Sequence, residues 1–466
     1  MARLVVFIDH DIMIRHFVLN GVLSPLGDKH ELVFVFPQGH KRVRADLDAL
    51  PIQQRRTLPI SQDRLQQYRR LYHTAVLAKA RRSSRAEWLN TKRWFREILD
   101  RRSFWESWLY SWPPIYPVYR SWVLAGIGEN RALDDLLRHE RPDVIVHPTV
   151  LEGLFISDLI RWGQQHSVPT VFLMNSWDNP STKALMVGHP DRLVVWGEQT
   201  KRHAVQYLGI PQERVVCLGA AQFELYRSPP KESPEAFRRR LGISSHQKIL
   251  LYAGSSKGLN ETAHLLRLER AIEEKELEGC VVLYRPHPWR AYPEGEADFY
   301  SLTWKHVILD PSMEACYRSA RGTTRVHVEL ADYADAHVTL RAVDAVISPL
   351  STILLEAALL GKPIAAYLPE EDVQANWYVS VASKIPQFTE FFERVDCIRC
   401  ERPERLVEDC RRLLQATENP GIAEKLKRQC EYFVVTSEEP YGIRLSRLIG
   451  ELLESSEGTN GWSTRS

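Results

Sequence analysis

The sequence of 466 residues lacks the features that mark membrane-spanning, secreted or disordered chains. No apolar run reaches the roughly 18 residues that a transmembrane helix needs, and no low-complexity tract is present. The first apolar stretch is short and ends at His10 and Asp11 without a small-residue cleavage site, which argues against a signal peptide. With 44% hydrophobic and 26% charged residues, the composition indicates a globular protein of two or three domains, for which a cytoplasmic location is expected.

Cysteine and clustered metal ligands are also scarce. The seven cysteines are an odd number spread over the chain, which argues against a disulfide framework. Cys397 and Cys400 form a single CxxC without a second pair at zinc spacing, so two half-buried cysteines on a strand are the simpler interpretation. No cluster of acidic residues resembles a metal site, and the sequence therefore predicts no metal and no other cofactor.

Charge is unevenly distributed, although the formal net charge is only +2. Between Arg55 and Arg120 there are fifteen Lys or Arg and five acidic residues, a local charge of +10. Six of the thirteen tryptophans fall at 88, 94, 105, 108, 112 and 122. Basic residues with interleaved tryptophan are typical of a segment that lies on an anionic membrane, here 55–122. A solvated helical hairpin with tryptophans in its core explains the composition equally well, and no recognition motif suggests nucleic acid.

Short apolar segments alternate with amphipathic helical segments on both sides of a proline-rich and charge-rich stretch at 226–237. This alternation predicts parallel sheets covered on both faces. The fold class is therefore α/β, with two doubly wound Rossmann-like domains facing a central cleft. The predicted parts are an N-terminal domain at 1–226 with a helical insertion at about 50–130, a linker at 227–237, a C-terminal domain at 238–420, and C-terminal helices with a tail at 421–466. Ligands of such folds bind at the carboxyl ends of the strands.

Two strand ends of the second domain carry candidate ligand-binding residues. In "VVLYRPHPWR" (281–290), two prolines end the strand and hold His287 in a stiff extended turn beside Arg285. After the first strand of this domain, Gly254, Ser255 and Ser256 offer close backbone approach, hydroxyls and amides that can cradle a phosphate. The latter segment matches neither GxGxxG nor a Walker loop, and a plain glycine-serine turn explains it as well.

The stretch "SPLSTILLEAALLGKP" (348–363) carries the strongest signal. Ser348, Ser351 and Thr352 crowd the turn into a helix whose N-terminus favours an anion. Glu356 lies one turn further in an otherwise apolar run, from which its carboxylate can reach a ribose diol. The alternative is an N-cap serine with a first-turn glutamate, a common stabilising pair.

Candidate residues of the first domain follow three of its strands. His10 and Asp11 close the first strand, where a general base for an attacking hydroxyl belongs, although Asp11 can equally be a helix N-cap. The residues that we expect to contact the acceptor are Arg15, His16, Glu152, Trp177, Asp178, Asn179 and Lys183. For the last four, a capped aromatic turn is the alternative.

The pair "RPHP" and "SPLSTILLEAALLGKP" resembles the GT-B superfamily of nucleotide-dependent transferases. The sequence looks most like the CDP-glycerol glycerophosphotransferase type and related surface-carbohydrate proteins. It is more distantly similar to UDP-N-acetylglucosamine 2-epimerase, lipid A disaccharide synthase and the HP/S-motif bacterial sialyl- and polysialyltransferases. The stretch at 195–224 also looks like the end of the N-terminal domain in that group.

The resemblance implies roles for individual residues. It implies that His287 contacts the donor phosphate, that Ser351 and Thr352 bind phosphates after Ser348, and that Glu356 holds the ribose. A histidine or acid of the N-terminal domain serves as base in such families, which implies His10 or Asp11. Pro349 and Leu350 depart from the family, in which Gly or Ser often stands, and the basic tryptophan-rich insertion has no counterpart there.

The resemblance implies a metal-independent transferase. It would move a sugar or polyol-phosphate from a CDP-, CMP- or UDP-linked donor to a hydroxyl of a glycan or lipid-linked acceptor, in the synthesis of cell-surface polysaccharide or glycolipid. His287, Arg285 and the helix N-terminus would stabilise charge on the leaving phosphate. The expected location is the cytoplasm, peripherally on the inner face of the cytoplasmic membrane. The alternatives are a nucleotide-sugar 2-epimerase and a non-catalytic nucleotide-binding scaffold.

Overall fold

The computed structural model describes residues 1–460 except 41, 86, 89–91, 93, 94, 100–102, 150, 152, 256–258, 289–291, 293, 294, 321–331 and 370–381. The chain forms two compact units. The first consists of Met1–Glu224 and Tyr432–Ser466, and the second consists of Leu225–Glu431.

The first unit contains a parallel sheet of seven strands in the order β3-β2-β1-β4-β5-β6-β7. The strands are β1 (Arg3–Phe7), β2 (Glu31–Pro37), β3 (Gln54–Leu58), β4 (Val144–Thr149), β5 (Thr170–Met174), β6 (Arg192–Val195) and β7 (Val215–Cys217). The α-helices before β4 are α1 (Asp11–Met13), α2 (Ser24–Gly27), α3 (Gln62–Ala80), α4 (Arg96–Leu99), α5 (Phe104–Ser111), α6 (Ile115–Gly126) and α7 (Arg131–Glu140). Later come α8 (Ile156–His166) and α9 (Glu198–His203), with π-helices at Ile14–Leu19, Asn179–Lys183 and Ala204–Leu208.

The second unit contains a parallel sheet of six strands in the order β10-β9-β8-β11-β12-β13. The strands are β8 (Lys248–Ala253), β9 (Cys280–Arg285), β10 (Val307–Leu309), β11 (Ala345–Ser348), β12 (Ile364–Tyr367) and β13 (Cys397–Cys400). The α-helices are α10 (Pro234–Arg240), α11 (Glu261–Glu273), α12 (Glu314–Ala320), α13 (Tyr333–Ala342), α14 (Thr352–Leu359), α15 (Pro386–Arg394), α16 (Leu406–Ala416) and α17 (Ile422–Cys430). Both cysteines of the CxxC lie on the edge strand β13 as free thiols, as the sequence predicts.

The last helix, α18 (Tyr441–Asn460), returns to the first unit. Tyr441, Leu445 and Ile449 belong to the core that lies against β1. A Cβ atom at Gly442 would lie 2.3 Å from the carbonyl oxygen of Val22, so glycine is needed for this close packing. From the sequence alone, these residues are recognised only as C-terminal helices, because nothing in the sequence indicates which domain their apolar face covers.

The insertion differs from the purely helical segment that the sequence predicts at about 50–130. It begins with β3, a strand that pairs in parallel with β2 at the edge of the first sheet. Residues of β3 alternate between more and less exposed positions. Because it contains arginines at 55 and 56, this edge strand lacks the apolar run by which the other strands are recognised in the sequence. The helices α3 to α6 then follow, so the expectation of a helical insertion holds only after β3.

The long helix α3 is held to the first unit by a buried ion pair. Arg64 donates from Nη2 and Nε to the carboxylate of Asp158 on α8, at 2.5 and 3.2 Å. Tyr68 and Asn130 donate to the same carboxylate at 2.6 and 3.0 Å. The side chains of Arg64 and Asp158 are only 7% and 3% exposed, so their charges are compensated by each other rather than by water.

We predict that Arg64→Ala lowers the free energy of unfolding by about 3 kcal/mol, because it leaves the buried carboxylate of Asp158 without its countercharge. The matched control is Arg138→Ala, which removes an exposed ion pair with Asp134 and should cost less than about 1 kcal/mol. Urea denaturation followed by far-ultraviolet circular dichroism measures both. Equal losses for the two variants would contradict the role given to Arg64.

Candidate functional site

At the end of β9, Arg285 is engaged by the protein itself. Its guanidinium Nη1 donates to Asp310 Oδ2 at 2.5 Å and to Ser312 Oγ at 2.9 Å. Asp310 is buried after β10 and also accepts a hydrogen bond from the Thr339 hydroxyl. The positive charge of Arg285 is therefore balanced internally, and it offers a ligand less positive potential than the sequence suggests. His287 is half-buried in the segment that follows.

The loop after β8 encloses a buried carboxylate. Glu261, in the first turn of α11, is fully buried. It accepts hydrogen bonds from the backbone N–H of Ser255 at 2.6 Å and from the Tyr284 hydroxyl at 2.7 Å. A Cβ at Gly254 would lie 2.4 Å from Glu261 Oε2, so this carboxylate explains the glycine without an approaching phosphate. Ser256 lies outside the described residues.

The turn between β11 and α14 has no such internal anion in the described part of the chain. Ser348 is fully buried at the end of β11, and its hydroxyl has no hydrogen-bond partner there. Ser351 has the extended backbone of an N-cap, yet its side chain does not cap the helix. Thr352 is half-buried at the first position of α14. The unsatisfied N–H groups of the first turn and these hydroxyls together suit an anionic group.

Glu356, one turn into α14, is held by a residue that sequence reasoning missed. The hydroxyl of Tyr226 donates a hydrogen bond to Glu356 Oε2. Burial and the negative charge of Glu356 hold the pKa of Tyr226 well above its usual range, so the phenol keeps its proton and donates. Tyr226 belongs to a stretch that the sequence indicates only as proline-rich connection.

Two further residues fix the position of Tyr226. Its ring packs against His337 with centroids 5.1 Å apart. Arg341 donates from Nη2 to the Tyr226 carbonyl oxygen at 2.6 Å and from Nε to His337 Nε2 at 3.1 Å. Burial, together with the charge of Arg341, lowers the pKa of His337 to about 4, so the ring is neutral and accepts at neutral pH. A continuous chain of contacts thus positions the carboxylate of Glu356.

In the first unit, His10 and Asp11 both have structural partners. His10 Nδ1 accepts a hydrogen bond from Ile12 N at 3.1 Å and caps α1. Burial lowers the pKa of His10, so the ring is neutral at neutral pH, and this hydrogen bond assigns the proton to Nε2. Asp11 accepts from the backbone of Arg44 at 2.9 Å and of Ala45 at 3.1 Å. The role of either residue as the base stays a prediction.

Asp9, beside these two residues, is a candidate that sequence reasoning passed over. It is 1% exposed, and Oδ2 accepts a hydrogen bond from Leu154 N at 2.6 Å. Its Oδ1 has no partner among the described residues. Leu151 and Phe155 around this contact have φ of 59° and 69°, a left-handed backbone that bulky residues rarely adopt. Glu152 lies outside the described residues.

Arg15 and His16 lie on the π-helix that follows α1. His16 is buried, and Nδ1 contacts Asn175 Oδ1 after β5. Burial and the charge of Arg15 lower the pKa of His16 well below its usual range. A neutral ring therefore donates to Asn175, so His16 orients the end of β5 from a position that water hardly reaches.

The predicted acceptor loop after β5 divides into buried and partly exposed residues. Trp177 is buried and packs edge-on against Phe433, with centroids 5.8 Å apart. Asn179 is buried and accepts a hydrogen bond from Ser176 N at 3.1 Å. Asp178 and Lys183 form an ion pair at 2.7 Å, in which the lysine side chain is 39% exposed. The capped aromatic turn therefore describes the first two residues, and the ion pair is the part that faces solvent.

Two absences hold for the described part of the chain. No group of three or more His, Cys, Asp or Glu side chains there is arranged to bind a metal ion. Its helices are all too short or too polar to cross a bilayer.

Comparisons with known proteins find similarity in fold but not in sequence. No family model and no curated protein matches the sequence. A Listeria monocytogenes protein assigned as a UDP-N-acetylglucosamine 2-epimerase superposes with a TM-score of 0.52 at 13% identity, over 98% of this chain and 97% of its own. S. aureus MnaA, solved with UDP, gives 0.50 at 12% identity over 97% of each chain. The wall teichoic acid polymerase TagF gives 0.49 at 10% identity over 98% and 90%, a superposition too loose to support a conclusion.

These likenesses concern the fold alone, because the identities are low. The chain has a GT-B fold, as the sequence predicts, with two Rossmann-like parallel sheets covered by helices. The central cleft stays a prediction.

We predict that His337 makes the second unit less stable in acid. Its folded pKa of about 4 lies below the ordinary value of 6.5, so between these values the unfolded chain binds a proton that the folded chain excludes. The free energy of unfolding should therefore fall as the pH falls through this window, by up to about 3 kcal/mol. His337→Gln keeps an acceptor for Arg341 but does not titrate. The variant should therefore lose the part of the pH dependence of unfolding that His337 causes.

Urea denaturation at about pH 7 and pH 4 measures the difference between wild type and variant. His246→Gln removes an exposed histidine of the same unit and should keep the wild-type pH dependence. An unchanged pH dependence in His337→Gln would contradict the assignment.

Proposed function

We propose that the protein is a metal-independent GT-B transferase that moves a sugar or polyol-phosphate from a nucleotide-activated donor to a hydroxyl acceptor. The acceptor would be a glycan or a lipid-linked molecule of cell-surface polysaccharide or glycolipid biosynthesis. Reaction at the inner face of the cytoplasmic membrane belongs to the same proposal.

One observation carries the donor site, which is the turn into α14. A fully buried hydroxyl at Ser348, a second hydroxyl at Ser351 that leaves the helix uncapped, and the eight-residue helix behind them would form an anion site. Phosphate oxygens would satisfy these hydroxyls and the first N–H groups of α14. Glu356, held by Tyr226, would accept hydrogen bonds from the ribose hydroxyls one turn further along.

His287 would contact the donor phosphate and stabilise the negative charge that develops on the leaving nucleotide phosphate as its bond to the transferred sugar or polyol-phosphate group breaks. The charge of Arg285 is already compensated by Asp310, so Arg285 would hold the end of β9 in place rather than attract the phosphate itself. In the first unit, His10, Asp11 and the buried Asp9 are the candidates for the group that accepts or relays the proton of the attacking hydroxyl. The partly exposed pair of Asp178 and Lys183 would contact the acceptor.

A nucleotide-sugar 2-epimerase is the second candidate, and the fold comparison favours it. Two superpositions, with TM-scores of 0.52 and 0.50, are with a protein assigned as such an epimerase and with a protein solved with UDP. An epimerase needs no acceptor and should convert or hydrolyse the donor alone, whereas a transferase should consume donor in proportion to added acceptor. Product analysis of CDP-, CMP- and UDP-linked donors with and without acceptor separates the two, and binding without turnover would indicate a scaffold.

We predict that Glu356→Gln weakens nucleotide binding by about tenfold to a hundredfold, since hydrogen bonds to a charged group contribute about 1.5–3 kcal/mol. Isothermal titration calorimetry with UDP, CDP and CMP measures the change in affinity and identifies the preferred nucleotide. Glu278→Gln, an exposed glutamate of the same unit, should bind as the wild type does. If the two variants bind equally, Glu356 does not hold the ribose.

We predict that His287→Ala lowers donor turnover by about a hundredfold or more, because a donor to the leaving phosphate is lost. The matched control His246→Ala should keep full activity. Donor consumption and product release give the rates. Intact turnover in both His287→Ala and Glu356→Ala would show that the site assignment is wrong.

A further inference from the structure

The insertion exposes a cluster of large apolar side chains on α5, α6 and the turn between them. Eleven large hydrophobic residues are exposed in the described part of the chain, and six of them lie within 105–122. We call these six the tryptophan face: Trp105, Trp108, Leu109, Trp112, Val118 and Trp122. Trp105 is 71% exposed and Trp122 is 69% exposed, so the most apolar side chains of the hairpin face solvent.

For the four tryptophans at 105, 108, 112 and 122, this arrangement excludes a place in the core of the hairpin. The core of the hairpin is formed by other residues, among them Tyr119 and Val123, which are 4% and 6% exposed. Tyr110 stacks on Tyr119 with ring centroids 4.0 Å apart. Trp105, Trp108 and Trp112 instead contact one another in series, with ring centroids 6.3 and 6.1 Å apart. Exposed aromatic patches of this kind mark sites of interaction.

Positive charge accompanies the insertion that carries the face, with fifteen Lys or Arg against five acidic residues between Arg55 and Arg120. The guanidinium of Arg81 lies 5.2 Å from the centre of the Tyr116 ring on α6. Glu106, the acid within the face, accepts a hydrogen bond from Ser103 N in a capping box.

The helix α3 connects the insertion to the loops at the carboxyl edge of the first sheet. Tyr72 donates to the Gly153 carbonyl oxygen after β4 at 2.5 Å. Lys79 is buried and donates to the carbonyl oxygens of Thr182 and Ala184 after β5, at 2.9 and 3.3 Å. A surface bound by the insertion would therefore be coupled to the loops that carry the predicted acceptor residues.

We propose that the tryptophan face docks onto the surface of an anionic lipid bilayer. Tryptophan rings suit the headgroup region, where an apolar body and a polar N–H are both accommodated. The excess of ten basic over acidic residues between Arg55 and Arg120 supplies charge complementary to anionic headgroups. The contact is peripheral, since no described helix could span the bilayer. This inference rests on the membrane location included in the proposed function and names the surface responsible, and vesicle binding is measured without any transfer assay, so failure of the docking and failure of the transfer reaction are distinguishable.

Vesicle flotation of the full chain tests the proposal. The wild type should float with vesicles containing phosphatidylglycerol, less so at high salt, and should stay with the unbound fraction when the vesicles are pure phosphatidylcholine. The double variant Trp105→Ala/Trp122→Ala should reduce flotation by about tenfold or more. The control Leu266→Ala/Ile443→Ala removes two exposed apolar side chains outside the face and should float as the wild type does.

Several outcomes would overturn the proposal. These are wild-type protein that does not float, a tryptophan variant that floats normally, or equal flotation with neutral vesicles. A second copy of the chain is the competing occupant of the face. Light scattering that finds a dimer in the wild type and a monomer in the tryptophan variant would assign the face to self-association instead. Matching circular dichroism spectra and unfolding midpoints of the two double variants establish that both are folded.

Discussion

Backbone N–H groups at the carboxyl ends of parallel strands need acceptors, and in several loops this chain supplies its own carboxylates. The loops after β2, β4, β8 and β10 donate to Asp11, Asp9, Glu261 and Asp310, respectively. The turn from β11 into α14 lacks such a group in the described part of the chain, and the hydroxyls of Ser348 and Ser351 leave the helix uncapped. Among these five loops, this turn alone has no carboxylate that accepts from its described backbone N–H groups, which is why our proposal places the donor phosphate there.

The internal carboxylates also determine which loops are unsuitable for a phosphate. Glu261 lies directly under the loop after β8 and already occupies the N–H of Ser255. A phosphate at that loop would meet a like charge in a poorly solvated place, which is costly. Asp310 similarly compensates Arg285 at the end of β9. The neutral turn before α14 is therefore preferred over loops whose sequences look more glycine-rich or more basic.

The strands were predictable because fully buried parallel strands appear as short continuous apolar runs, as "VVLY" within β9 does. The turn at Ser348–Ser351 and the helix that carries Glu356 were predictable because polar residues stood out within an apolar segment, whereas their role in binding a donor stays a prediction. The hydrogen bond from Tyr226 to Glu356 could not be predicted. Tyr226 lies 130 residues away, in a stretch whose local pattern indicates only a connection. The strand β3 was hidden by its arginines, and the return of α18 to the first unit depends on long-range packing.

Helical spacing of the tryptophans indicates that they share a face, yet only the structure distinguishes an inward face from an outward one. Their outward position bears on the choice between the two candidate functions. An epimerase acts on a nucleotide sugar dissolved in water. It would gain nothing from the proposed lipid-binding surface beside the loops at the carboxyl edge of the first sheet. A transferase with a lipid-linked acceptor needs those loops near the headgroups, and α3 provides the connection through Tyr72 and Lys79. The position of the tryptophan face therefore favours transfer to a lipid-linked acceptor.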